Sequence, residues 1–138
     1  MNVRSRFAPW AAALALCLLG GPAAAVAALP FVAIDPGHGG GDTGAVGVIP
    51  AGTVTGLPAR TDAAGRNLVY EKDVNLDIGL RLDAWLRGQG GRTLLTRTRD
   101  LAGGDVPYTT EGADLRARVK IANDAGVDIF VSVHNNAL

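Results

Sequence analysis

Residues 31–45 read FVAIDPGHGGGDTGA, and the fold is decided in this stretch. Phe31, Val32, Ala33 and Ile34 are apolar, aromatic or β-branched, as a strand covered on both faces requires. Asp35-Pro36-Gly37 then breaks the strand, because proline lacks a backbone donor and glycine favours a turn. His38 follows at once, with three glycines behind it. A rigid strand feeding an imidazole into a loop without side-chain bulk is an arrangement suited to holding a ligand.

Two further segments read as buried strands. They are Arg92–Thr96 (RTLLT) and Val127–Val133 (VDIFVSV). Between the three strands lie two helical patterns. Leu115, Val119 and Ala122 recur at i, i+4 and i+7, with Ile121 and Ala125 beside them and Gly126 as a stop, so a helix is expected over roughly 113–125. Residues 72–88 are ambiguous. Val74, Leu76, Ile78, Leu80 and Leu82 alternate as in a strand, but the alternation fails at Asp83-Ala84-Trp85-Leu86. As a helix, Val74, Ile78, Leu82 and Trp85 share a stripe, with Leu76 and Leu80 opposite, and the length of the run favours helix. Strands alternating with helices imply an α/β fold, a largely parallel sheet flanked by helices. Residues 36–70 are too long for a mere connection and read as a functional surface loop.

The amino terminus reads separately. Arg4 and Arg6 precede an apolar run from Phe7 to Leu19, and Ala23-Ala24-Ala25 or Ala25-Val26-Ala27 offers small residues at cleavage-site spacing. This is the pattern of a secretory signal over residues 1–27, leaving a domain over 28–138. The run is shorter than the ~18–20 residues of a spanning helix. The single cysteine, Cys17, lies inside it, so the cleaved chain carries no disulfide and no thiolate ligand. The chain balances 13 basic against 13 acidic residues, which excludes the basic footprint of a nucleic-acid binder. An exported protein, periplasmic or secreted and free of the membrane after cleavage, is expected.

In an open parallel sheet, ligands bind beyond the carboxyl ends of the strands. His38 follows the first strand there and His134 follows the third. Glu71 begins a helix that must return to the other edge. Taken singly, His38 suits an ordinary loop, Glu71 a first helical turn, and His134 a hydrogen-bonded core position. Together they are both histidines of the chain and a carboxylate at one edge, the donor set of a catalytic zinc with an open position. The glycine-rich loop has no Gly-Lys-Ser/Thr element and no helix directly after it, which argues against phosphate binding.

AIDPGHGGGDTGA, YEKDVNLDIGLRL, TLLTRTRD, LRARVKIAND and DIFVSVHNNA follow one another in this order. In this the chain resembles the zinc-dependent N-acetylmuramoyl-L-alanine amidases of the amidase_3 type, from Phe31 to Ala137. The resemblance implies that His38, Glu71 and His134 bind Zn2+. It implies as substrate the peptidoglycan amide between N-acetylmuramic acid and L-alanine. Arg99, Asp100, Arg118 and Asn123 look like scaffold positions, with Arg118 suited to a carboxylate in the loop before its helix. Whether an activator protein is needed stays open.

In the family the catalytic glutamate follows the second histidine, whereas this sequence ends at Leu138. The expectation is an amino-terminal part of a catalytic domain, incomplete at its carboxyl end, with no catalytic base assigned and little or no amidase activity of its own. Glu111, the other glutamate, reads as a first-turn helix residue. Two alternatives share the donor set: a non-catalytic zinc- or peptidoglycan-binding module, and an exported zinc peptidase.

Overall fold

A computed structural model of the chain describes residues 28–50, 53 and 55–136. The secretory segment expected over residues 1–27 lies outside the described residues. The elements are β1 (Phe31–Pro36), β2 (Val46–Ile49), β3 (Arg60–Thr61), β4 (Asn67–Tyr70), α1 (Glu71–Gly88), β5 (Arg92–Leu95), α2 (Glu111–Ala125) and β6 (Ile129–Val133). The three expected strands form one parallel sheet in the order β5-β1-β6. Both expected helices are present, so residues 72–88 resolve as helix. No described helix is long and apolar enough to cross a membrane.

The long loop differs from expectation. It contains β2, β3 and β4, which form a small antiparallel sheet in the order β2-β4-β3. Strands this short carry too little pattern to be read singly, and pairing with a distant partner is what makes them strands. β4 runs directly into α1. The backbone N–H of Glu71 still donates to Ala45 O, 2.8 Å away, so the small sheet is tied to the first residue of the helix.

β1 is the central strand, and its alternation divides the molecule into layers. Ile34 and Pro36 face α1, where Gly79 lies so close that a Cβ would stand 2.6 Å from Pro36 Cγ. Asp35 faces the other way, toward Arg118 of α2. The hydroxyl of Thr110 caps α2 by accepting from Ala113 N, and Gly126 closes it at φ 64°. Gly79→Val is expected to destabilise the fold by about 1–3 kcal/mol through overpacking against Pro36. That outweighs a gain of a few tenths of a kcal/mol in helix propensity. A urea midpoint equal to that of the parent chain would contradict it.

Both helices turn a largely polar stripe inward. In α1 the shared stripe of Val74, Ile78, Leu82 and Trp85 is not the packed one, since Trp85 is 62% exposed and Ile78 is exposed as well. The inward face runs through Glu71, Asn75 and Gly79, which are all buried. In α2, Leu115 and Val119 are 53% and 52% exposed, while Asp114, Arg118 and Ala122 are buried. In each helix, polar groups at i and i+4 occupy the inner face because they hydrogen-bond the strand ends and the loop after β1. On β6, an outer strand of its sheet, Ile129 and Phe130 are exposed.

Candidate metal centre

His38, Glu71 and His134 meet at the carboxyl edge of the parallel sheet. Their ligand-capable atoms lie within 4.8 Å of one another. Each is placed by a different element. His38 sits in the turn after β1, Glu71 is the first residue of α1, and His134 follows β6. Gly37 N–H donates to Val133 O at 3.0 Å, which extends the β1–β6 pairing up to the two histidines. The imidazole rings stand edge to face, with centroids 4.8 Å apart.

Glu71 is the centre of the cluster. His38 Nε2 is 3.3 Å from Glu71 Oε2, and His134 Nδ1 is 3.1 Å from Oε1. Oε2 also accepts the N–H of Ala45, and Oε1 accepts the N–H of Asn135, each at 2.9 Å. Asn75, one turn along α1, reaches both Oε1 and the carbonyl of Gly37. Asn135 Nδ2 in turn donates to Asn75 Oδ1.

Burial pushes the Glu71 carboxyl up, but the N–H groups of Ala45 and Asn135, with Asn75 and His38, outweigh it and hold the group at about 2. The folded value is therefore depressed. Its stabilising contribution is complete above the unfolded value of 4.5 and is lost as pH falls through the folded value. For the metal-free chain this predicts a loss of about 3 kcal/mol between pH 5 and pH 2. Glu71→Gln should flatten the stability profile in that window, as read by urea melts in chelator. An unchanged slope would contradict the assignment.

Asp42 fixes the orientation of His38. Its Oδ2 lies 2.8 Å from His38 Nδ1, while Oδ1 accepts the N–H of Gly44. Burial raises the Asp42 carboxyl, yet hydrogen bonds from His38 and Gly44 N–H bring it below its ordinary value. A proton on Nδ1, directed at Asp42, leaves the Nε2 lone pair facing Glu71, which is how a ligating histidine is oriented. Two glycines leave the space. A Cβ on Gly44, at φ 61°, would stand 2.6 Å from the His38 ring, and one on Gly37 would stand 2.3 Å from the ring of His134.

Behind the histidines lies a cavity of about 100 Å3 lined by Asp42, Glu111, Arg118 and Ser132, among others. Larger grooves of about 480 and 430 Å3, on the small sheet and on the outer face of α2, contain neither histidine. Glu111 is the first residue of α2 and is exposed, in the first-turn position expected for it. Arg118 pairs with Asp35 of β1 at 2.8 Å and with Asp114 of its own helix at 2.9 Å. Its expected partner in the preceding loop is thus replaced by two carboxylates on regular elements.

Asp42, Asn75 and Asn135 were not assigned a role from the sequence. Only Asp42 had a visible signal, four residues after His38. Asn75 and Asn135 act through contacts between elements far apart in the chain.

The cluster suits a divalent cation. Two imidazoles and an ionised carboxylate converge, Asp42 adds a second negative charge, and glycine backbone leaves room around the rings. Residues 32–138 match the family described as Amidase_3, N-acetylmuramoyl-L-alanine amidase. The germination-specific N-acetylmuramoyl-L-alanine amidase of Bacillus subtilis is 35% identical over 112 residues, covering 78% of this chain and 39% of that protein. N-acetylmuramoyl-L-alanine amidase AmiA of Salmonella typhimurium is 38% identical over 104 residues, covering 75% of this chain and 26% of that protein. Among solved structures, the CwlD amidase of Clostridioides difficile in complex with the GerS lipoprotein superposes with a TM-score of 0.55 at 28% identity. That match covers 79% of this chain and 49% of that one. The chain therefore spans less than half the length of these relatives.

Proposed function

Because this chain belongs to the Amidase_3 family of N-acetylmuramoyl-L-alanine amidases, we propose that His38, Glu71 and His134 bind zinc in a site serving peptidoglycan hydrolysis. The bond cleaved is the amide between N-acetylmuramic acid and L-alanine. The observation carrying this reading is the convergence of three ligand atoms, from three elements distant in sequence, within 4.8 Å. On this reading, residues 28–138 belong to the amidase domain and residues 1–27 are a cleaved secretory signal. The protein then acts outside the cytoplasm, where its polymeric substrate lies, in the periplasm or as a secreted protein.

Zinc held by His38, Glu71 and His134 would supply Lewis acidity, polarising a substrate carbonyl and making water acidic enough to ionise at a pH of ~7. The chain's residues prepare that site. Asp42 accepts a hydrogen bond from the Nδ1 proton of His38, so that Nε2 presents a lone pair. Ala45 and Asn135 keep Glu71 ionised at neutral pH through their backbone N–H groups. Asn75 links the carboxylate to the Gly37 carbonyl and fixes the helix start against the turn after β1. Proton transfer to the leaving amine needs a further acid–base group, and the family resemblance puts it after the second histidine.

Digestion of purified peptidoglycan, with and without chelator, tests the reading. The measured quantity is the appearance of new L-alanine amino termini. Chelator-sensitive release supports the amidase. Zinc-dependent retention on the wall without release assigns these residues to a binding module. Release from free peptides but not from intact wall makes the protein a peptidase.

A further inference from the structure

The loop after β1 is rich in glycine and has little stiffness of its own, yet it carries His38 in a left-handed conformation at φ 60°, which a non-glycine residue adopts only when its surroundings impose it. Three buried cations impose it. Arg97 donates to the carbonyls of Pro36 and Gly37. Arg118 donates to those of Pro36 and His38. Lys72 Nζ donates to that of Gly40 at 2.6 Å. The two arginines are anchored in the core, whereas Lys72, 5% exposed, has one carboxylate within ion-pair reach among the described residues. That group is Asp100, at 2.8 Å. Asp100 also accepts the N–H of Gly40 at 2.8 Å through its other oxygen and lies 3.7 Å from Arg60. Asp100 and Lys72 thus hold both backbone polar groups of Gly40, two residues beyond His38.

We propose that Asp100 is a positioning residue: through Lys72 and Gly40 it clamps the far end of the His38 loop and thereby sets the affinity of the metal site. This rests on the reading that His38 is a zinc ligand. Without Asp100, the buried ammonium loses its counter-charge and must reach for water, and Gly40 N–H loses its acceptor. Beyond His38 the loop then keeps the Gly39–Asp42 backbone pair and a Lys72–Gly40 bond whose ammonium has no counter-charge, and the imidazole is less firmly preorganised opposite Glu71 and His134.

The test titrates zinc into the full chain against a competing fluorescent chelator, for the parent, Asp100→Ala, Asp100→Asn and the control Asp77→Ala. Asp77 makes an exposed ion pair with Arg81 on the outer side of α1. Asp100→Ala is expected to weaken zinc by about 10–100-fold, the range for residues that orient metal ligands, and Asp77→Ala to leave it unchanged. The visible absorption bands of the cobalt-loaded Ala variant should shift, reporting an altered coordination that a loss of stability alone does not produce. Exchange of the Gly40 amide should accelerate in the zinc-free protein. If the Ala variant does not fold, Asp100→Asn, which keeps an acceptor for Gly40 but no charge for Lys72, carries the comparison and should still weaken zinc by about tenfold. Affinity within about threefold of the parent, below the range for such residues, in a folded Asp100 variant overturns the clamp alone. A parent chain that takes up no zinc overturns the metal reading beneath it.

Discussion

His134→Ala, Glu71→Ala and His38→Ala are each expected to weaken zinc binding at least ~100-fold. A small zinc site is held by ~10–16 kcal/mol shared among about four ligands, so one ligand is worth roughly 3 kcal/mol or more. Glu71→Ala should be the most severe. It removes a ligand and also leaves the N–H groups of Ala45 and Asn135 without their acceptor. Glu111→Ala is the matched control. It removes a carboxylate beside the same cavity but outside the ligand set, and zinc affinity should not change. Metal content after dialysis, with chelator competition, measures all four. Full stoichiometric zinc in the His134→Ala chain would sink the proposed ligand set.

The second large effect is expected at Arg118. This guanidinium is 2% exposed and bonds Asp35, Asp114 and the carbonyls of Pro36 and His38. Arg118→Met keeps much of the volume but strands two buried carboxylates, and breaking a buried pair in this way costs about 3–5 kcal/mol. A single domain has about 5–15 kcal/mol of stability in total, so the variant should be largely unfolded or melt far earlier. Arg118→Lys should recover only part of the loss, because an ammonium cannot reproduce the planar fork that reaches four partners. The check is urea unfolding followed by circular dichroism, with zinc removed so that ligand binding does not mask the change. A loss below about 1 kcal/mol, the scale of an exposed pair, would show that Asp35 and Asp114 are satisfied without Arg118.

Arg118 also shows why hydrophobic periodicity does not reveal the packed faces of the two helices. Hydrophobic periodicity assumes that a helix packs through its apolar stripe. Here α2 packs through Asp114, Arg118 and Ala122, and α1 through Glu71, Asn75 and Gly79. The four polar residues among them are inside because they satisfy one another and backbone groups near the site. Among the described residues, no buried side-chain nitrogen or oxygen lacks a partner. A polar residue looks exposed in a sequence until its partner is known, and these partners lie in other elements.

Other features were legible because they are local. The strand at Phe31, the helix stop at Gly126 and the order of elements follow from residues close together in the chain. So does the expectation that His38, Glu71 and His134 share one edge, since each adjoins an element end whose direction a parallel α/β order fixes. Tertiary structure alone decided the rest. It paired β2, β3 and β4 across a stretch read as loop, set Asp42, Asn75 and Asn135 around His38, Glu71 and His134, and gave Asp100, read as scaffold, a hold on Gly40. The division has a physical cause. Strand and helix propensity are set by near neighbours, whereas a hydrogen bond between Glu71 and Asn135 exists only once the chain between them has folded.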